Sequence, residues 1–390
     1  MNRRPVTIAL VAVAALACLC AAHTQQPAER PTIQVVSVGQ PHTLFNTGRD
    51  GCNPYDIPDE APRAFRDHQH TVHLFFTTST NRAFLGPDLD HLHHTCDIAY
   101  KGAKNPSPGA YDDNGWLTAF YAEGNTVYAL IHNEFHAYDE NKPLCTLKPG
   151  DTGCAEVSIS EAVSTDGGLH FHRIPGLHGV IANMPYTFHQ QPHWYGYMNP
   201  SSIVKHGDFY YVMVSMIHPT DRTRSGVCVL RTSNVADPAS WRGWDGQNFS
   251  VITATDPYHT KLADPDAHLC KPLPPGTVQF GLGSLSWSPV RQSYLLVTRL
   301  QKWDKPEHGE VPGAYLSESK DMIHWSAPTL LLSDATAGGE NTYPALIDPN
   351  ATDPNFTTLG DNLLLYTMTR IAPHGYAAFN IDVRPIHLKQ

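Results

Sequence analysis

Charge is scarce in this 390-residue chain, at 16% of its residues, and positive charge is the scarcer sign, with 27 Lys and Arg against 37 Asp and Glu. The resulting net charge of -10 excludes partners recognised by phosphate neutralisation or polybasic attraction, so neither nucleic acid nor an anionic membrane surface is expected. No basic run follows the first few residues, no HExxH pattern appears, and no closely spaced Cys pair follows residue 22, which speaks against a zincin helix and the usual zinc modules. A convincing amphipathic helix is also missing. Against these gaps stands a hydrophobic content of 41% with 32 Pro and 28 Gly, enough apolar surface for a large core and too much for a disordered chain or a coiled coil.

The chain opens with Arg3 and Arg4, an apolar stretch from Val6 to Cys20, then Ala21 and Ala22 before polar His23. A basic head, a hydrophobic centre and small residues at the cut predict a secretory signal over residues 1–22, cleaved near Ala22. A retained membrane anchor is the rival, and Cys18 or Cys20 could carry a lipid, although Ala15, Leu16 and Ala17 make a poor lipobox. A secreted or periplasmic protein without a membrane contact after cleavage is therefore expected. The six remaining cysteines, Cys52, Cys96, Cys145, Cys154, Cys228 and Cys270, then read as disulfides. Sequential pairing is the simplest scheme, and Cys145 with Cys154 is its firmest member because Lys148, Pro149, Gly150 and Asp151 between them are turn formers.

A two-strand unit recurs along the chain. Its first halves are Arg63 to Arg66, Thr118 to Tyr121, Ser202 to Lys205, Ser284 to Trp287 and Pro344 to Ile347. Their partners are Thr71 to Phe76, Thr126 to Ile131, Phe209 to Val214, Tyr294 to Val297 and Leu363 to Thr367. These segments are β-branched or aromatic and broken by Gly, Asp and Asn, the grammar of hairpins. The uneven spacing leaves room for two more strands per unit, three of them visible at Val157 to Val163, Cys228 to Thr232 and Gly313 to Ser317. The turns Ser164 to Phe171 and Ser319 to Trp325 pair an Asp with a following aromatic that tucks between sheets. The fold expected is all-β: a single five-bladed β-propeller with four-stranded antiparallel blades over residues 56–390, entered from an N-terminal segment over residues 23–55. A β-sandwich followed by a second β domain is the alternative.

Asn199 to Lys205 with its Gly turn and Tyr210–Tyr211, the turn Ser319 to Trp325, and Tyr343 to Pro349 resemble the five-bladed arabinanase, xylosidase and invertase group of glycoside hydrolases, family 43 and its relatives. The resemblance implies hydrolysis by an Asp base from the first blade, an Asp from the second that tunes the acid, and a Glu acid from the third. By position, Asp59 matches the base and Asp113 the tuning Asp. The third blade offers Tyr197, Met198 and Asn199 where the acid belongs, so Glu134 or Glu340 has to supply it.

Propeller geometry brings residues just before first strands and just after second strands to one mouth. That rule gathers Asp59, Glu60, Arg63 and Arg82 from the first unit, Asp113, Trp116, His132, Asn133 and Glu134 from the second, Asn199 and His218 from the third, Arg299 from the fourth, and Glu340, Tyr343 and Arg370 from the fifth. Glycoside hydrolysis needs two carboxyl groups flanking the bond, and Asp59, Asp113, Glu134 and Glu340 are the candidates. Trp116 and Tyr343 would stack on a sugar, with Arg63, His132 and Asn199 lining the site. Arg82, Arg299 and Arg370 each end a second strand and together would select an acidic sugar, as a sialidase-like hydrolase does. A carbohydrate-binding propeller without catalysis is the other alternative. The 23 His read as loop residues, no metal or cofactor is indicated beyond a compatible structural calcium, and a monomer is expected.

Overall fold

Strands form where the sequence alternates β-branched and aromatic residues between Gly, Asp and Asn turns. The computed structural model describes residues 33–138, 144–146, 153–274, 278, 281–301, 310–371 and 379–389; the expected signal segment, residues 1–22, lies outside them. Among the described residues the helices are no longer than four residues, and none is long and apolar enough to cross a membrane.

The strands run as successive antiparallel meanders. The first unit pairs Pro58–Arg66, Val72–Thr77, Arg82–Gly86 and His93–Ile98 in chain order. The second joins Asn114–Glu123, Thr126–His136 and Ala155–Ser164, flanked by the short strands His172–Arg173 and Val180–Ala182. In the third, an inner strand broken into Tyr195–Met198 and Val204–His206 pairs with Phe209–Ile217, followed by Gly226–Thr232, Arg242–Trp244 and Phe249–Val251. Asn199, at φ 51°, lies in this break. Parallel bridges from Tyr195 to Glu156 and from Gly196 to Val157 fuse the second and third units into one sheet. Gly281–Ser288, Ser293–Leu300, Gly313–Ser319 and Thr329–Ser333 form the fourth.

The last unit runs Asn341–Ile347, Asn362–Arg370 and Phe379–Lys389, and its outer positions are filled from the other end of the chain, by Gln34–Val38 and His42–Asn46. Part of the segment expected merely to lead into the propeller is thus built into its final sheet. The pairing closes the molecule and covers a sheet edge that would otherwise be open. Apolar cores follow the same order. Phe65, Phe75 and Phe120 lie between the first and second units, Leu130, Tyr197 and Trp241 between the second and third, and Val229, Leu285 and Trp325 between the third and fourth. Leu296 faces the third unit, while Leu316, Leu365 and Leu388 fill the space between fourth and fifth, and Phe45, Leu74 and Tyr366 join the fifth back to the first.

Both aspartate turns form as expected. Asp166 accepts the backbone N–H groups of Leu169 and His170, Asp321 those of Ile323 and His324, and the following Phe171 and Trp325 are buried. Disulfides join Cys52 to Cys96, Cys145 to Cys154 and Cys228 to Cys270, the sequential scheme. The long connection after Ile347 folds beneath the centre of the ring. There Asn355 exchanges amide hydrogen bonds with the backbone of Ala122 at 2.6 and 3.3 Å, and Phe356 is buried beside it. The sequence carries three N-glycosylation acceptor patterns, Asn248-Phe249-Ser250, Asn350-Ala351-Thr352 and Asn355-Phe356-Thr357; Asn248 and Asn350 are exposed, whereas the side chain of Asn355 is consumed inside the fold.

Candidate active site

The strand Thr126–His136 alternates its side chains between two faces, so His132, Glu134 and His136 share one. Its neighbour Asn114–Glu123 sets Asn114 opposite Glu134 and Trp116 opposite His132, adding both to the same surface. From the first unit, Asp59 and Glu60 reach this surface, and Tyr343 reaches it from the last. Tyr343 adopts φ 51° just before Pro344, in a strand whose register with its partner shifts between Thr342 and Ala345. The bulge re-aims its side chain inward.

Hydrogen bonds tie the group together. The Trp116 indole donates to Asp59 Oδ2 at 3.1 Å and the Tyr343 hydroxyl to Asp59 Oδ1 at 3.2 Å. His132 stands between two carboxylates, its Nδ1 3.2 Å from Glu60 Oε1 and its Nε2 3.3 Å from Glu134 Oε1. The second oxygen of Glu134 lies 2.6 Å from His136 Nε2. On the far side of the His136 ring, Nδ1 is 3.2 Å from the Asn114 amide nitrogen, and the Asn114 oxygen accepts from Lys104. Because that amide nitrogen can only donate, Nδ1 is the acceptor and the Nε2 proton points at Glu134. Asp113 sits behind this row, fully enclosed, and accepts the backbone N–H of His136 at 2.9 Å.

The electrostatics act most visibly on Asp59. Burial pushes the Asp59 carboxyl up to about 7, the charges of Glu134 and Glu60 push the same way, and the two hydrogen bonds only partly oppose them. Burial would lower His132, but its bond to Glu60 and the charges of Glu134, Glu60 and Asp59 prevail and raise it. Glu60 pairs with Nδ1, while Glu134, 3.3 Å from Nε2 but not hydrogen-bonded to it, favours the protonated ring through its charge. Burial and the same acids hold Tyr343 well above its ordinary value, so its hydroxyl remains a donor. The arrangement is therefore an Asp59 that keeps much of its proton up to neutral pH beside a Glu134 flanked by imidazoles.

The other expected site residues fall elsewhere. Arg63 is buried beneath the mouth, where its guanidinium spans to the carbonyls of Gly283 at 2.8 Å and Pro200 at 3.4 Å. It acts as a strut between the first, third and fourth units, and burial lowers it to about 10 without costing it its charge at neutral pH. Arg82 is buried against Asp56, Thr80 and the Cys96 carbonyl. Arg299 is buried against Asp334 at 2.8 Å and the Gly313 carbonyl. Arg370 alone of these is exposed, stacked over Phe379. Three arginines in similar sequence surroundings thus form no cluster. Glu340 is half-buried in the loop before Asn341, linked to Arg370 only through main chain, and Asn199 is half-buried at the entrance to the third unit.

No protein-family model matches the sequence, and no curated protein matches it either. Solved structures do. An α-L-arabinofuranosidase from Lactobacillus brevis aligns with 85% of this chain and 92% of its own at 10% identity and a TM-score of 0.50. An endo-arabinase from Bacteroides thetaiotaomicron VPI-5482 aligns with 90% of this chain and 99% of its own, at the same identity and TM-score. The fold is that of propeller-type glycoside hydrolases.

Within such a fold the third unit is notable for what it puts at the mouth. Tyr197 is buried with its hydroxyl accepting the Cys270 N–H, and His218 is buried with Nδ1 accepting the N–H groups of Thr220 and Asp221. Among the described residues, the carboxylates that meet come from the first and second units alone. Glu60 is gathered at the mouth by the strand rule without being a candidate acid, and His136 is not named by it, although the alternation of His132, Glu134 and His136 on one strand face is a period-2 signal that finds the latter. Cys52, Asp56 and His94 lie at metal-like spacing, but the Cys52 sulfur is bonded to Cys96.

Proposed function

We propose that this protein is an exported glycoside hydrolase acting on an oligo- or polysaccharide, with the meanders as five blades and the chemistry carried by Asp59 and Glu134. One observation carries the reading: Asp59, held by Trp116 and Tyr343, is raised by burial and by the charges of Glu134 and Glu60, while Glu134 beside it is faced by His132 and His136, and a carboxyl kept protonated next to a second carboxyl is what acid and base roles require. Asp59, protonated up to about pH 7, is suited to donate a proton to the leaving glycosidic oxygen. Glu134, held by His132 and His136, is suited to act as base or nucleophile on the sugar. This reverses the part that position alone gives Asp59. Asp113 fixes the main chain beneath Glu134, Trp116 and Tyr343 orient Asp59, and His132 balances the charge of Glu60 and Glu134. Three disulfides accord with an oxidising compartment.

The experiment is incubation of the secreted, disulfide-intact protein with arabinans, xylans, galactans and uronic-acid oligosaccharides, reading released reducing ends across pH. Turnover that falls above about pH 7 and vanishes in Asp59→Asn supports Asp59 as the acid. A rate that instead rises through pH 7 would give Asp59 the base role. A carbohydrate-binding propeller is the second reading, favoured by the tyrosine and asparagine where the resemblance calls for a third-blade acid; glycans retained but never cut would establish it.

A further inference from the structure

Beyond the acids, the second and third units raise an aromatic lip that no step of the proposed chemistry uses. The Tyr138 ring stacks on His136 at 4.9 Å between centroids and 20° between planes, and the Trp194 ring approaches His136 at 5.9 Å. Trp116, which holds Asp59, lies 6.3 Å away on the same imidazole. Tyr138 and Trp194 therefore extend from the His136 ring that binds Glu134 toward the surface, with the buried Trp116 against the same imidazole.

Two features set this lip apart from ordinary packing. Tyr138 is 41% exposed and Trp194 only half-buried, whereas large aromatics inside the fold are closed off. The backing is firm. Phe135 meets Phe188 edge-on at 5.3 Å, Ala137 and Cys154 are sealed beside them, the Ala137 N–H donates to the Cys154 carbonyl, and the disulfide to Cys145 anchors the same spot. Rigid, partly open aromatic rings next to polar groups are what a ligand with alternating C–H faces and hydroxyl edges requires.

We infer that Tyr138 and Trp194 form a subsite that stacks a sugar ring adjacent to the one at the cleaved bond, so that the protein recognises a chain of sugars and not a single residue. The inference rests on the glycosidase reading of the neighbouring acids and adds its substrate class, an oligosaccharide spanning the lip. The occupant is a sugar ring presenting its C–H face, because the contacts on offer at Tyr138 and Trp194 are aromatic faces and neither side chain supplies a cation for an acidic group.

The test uses the full secreted protein and ladders of arabino- and xylo-oligosaccharides of increasing length. Affinity is read by calorimetry and by quenching of tryptophan fluorescence, and kcat/KM by product release. Trp194→Ala should weaken the longer oligosaccharides by about tenfold, the worth of one aromatic contact, with the loss growing with chain length and Trp194→Phe restoring most of it. Tyr138→Ala, at an exposed position, repeats the test should the tryptophan variant fold poorly. Wild-type affinity at every length in these variants, with turnover still measurable, overturns the subsite and leaves the acids standing. Wild-type protein that neither binds nor cuts any member of the ladders or the wider polysaccharide panel overturns both.

Discussion

The two arcs of the propeller mouth handle buried charge in opposite ways. On the arc built from the fourth and fifth units, Arg299 is matched to Asp334, which also accepts from the Asn341 amide at 2.6 Å; cation and anion neutralise each other and the loop before Asn341 is fixed in place. On the arc of the first and second units, Asp59, Glu60 and Glu134 share His132 and His136, and Asp59 is stabilised by two neutral donors and no cation. A protein selecting only for stability would pair or remove such an acid, since an unpaired buried carboxylate costs several kcal/mol. An unneutralised acid on one arc and a neutralised one on the other is the difference that the proposed chemistry requires of the first.

The contrast breaks most sharply at Glu134. Glu134→Gln keeps the shape and the bond from His136 but removes the anion, and turnover should fall by roughly 10²–10⁴, read as released reducing ends. Binding of a long oligosaccharide by the same variant separates lost chemistry from lost structure. Asp59→Asn should also abolish turnover while raising stability, and the sign depends on pH. Folding lifts this carboxyl from 3.8 to about 7, so the native state binds the proton more tightly than the unfolded chain. The charge penalty is absent below pH 4, grows as pH rises, and is complete above about 7. At about 1.4 kcal/mol per pH unit the penalty reaches about 4 kcal/mol, less what water at the mouth screens. Thermal melts should therefore show the variant gaining at pH 8 and level with the wild type at pH 4.

Much of the fold was legible because it depends on local pattern. Hairpin halves such as Thr118 to Tyr121 and Thr126 to Ile131 carry their turn and their alternation within a few residues, and the aspartate turns at Asp166 and Asp321 hold their own backbone. The closing strands Gln34–Val38 and His42–Asn46 were not legible, since their partner is Phe379–Lys389 at the opposite end of the chain and no local signal encodes so distant a pairing. At the site the same division holds. Asp59, Glu134, Trp116, His132 and Tyr343 were placed by counting strands, but the sequence around Thr298–Arg299 and Thr369–Arg370 is alike, and only tertiary context buries one guanidinium and exposes the other.

Asp334→Ala tests the relieved arc. It leaves the Arg299 guanidinium, 3% exposed as a side chain, with the Gly313 carbonyl and no counter-charge, and should cost about 3 kcal/mol in a denaturant melt. A loss well under 1 kcal/mol would mean that water reaches Arg299 and that the two arcs differ less than their hydrogen bonds suggest.

Arg370 provides the smallest effect and the sharpest control, because it follows Thr369 as Arg299 follows Thr298, yet lies exposed over Phe379 at 5.1 Å. A solvated cation–π contact contributes about 0.5 kcal/mol, so Arg370→Ala should shift the melt by no more than that. If an anionic sugar were the substrate, Arg370 would be the exposed member of Arg63, Arg82, Arg299 and Arg370 left to meet it, and Arg370→Ala would raise KM for uronic-acid oligosaccharides while leaving neutral ones untouched. Equal KM values for both classes in the variant and the wild type would instead place recognition where the geometry does, in aromatic rings and acids and not in arginine, and would confine the difference between the two arcs to their carboxylates.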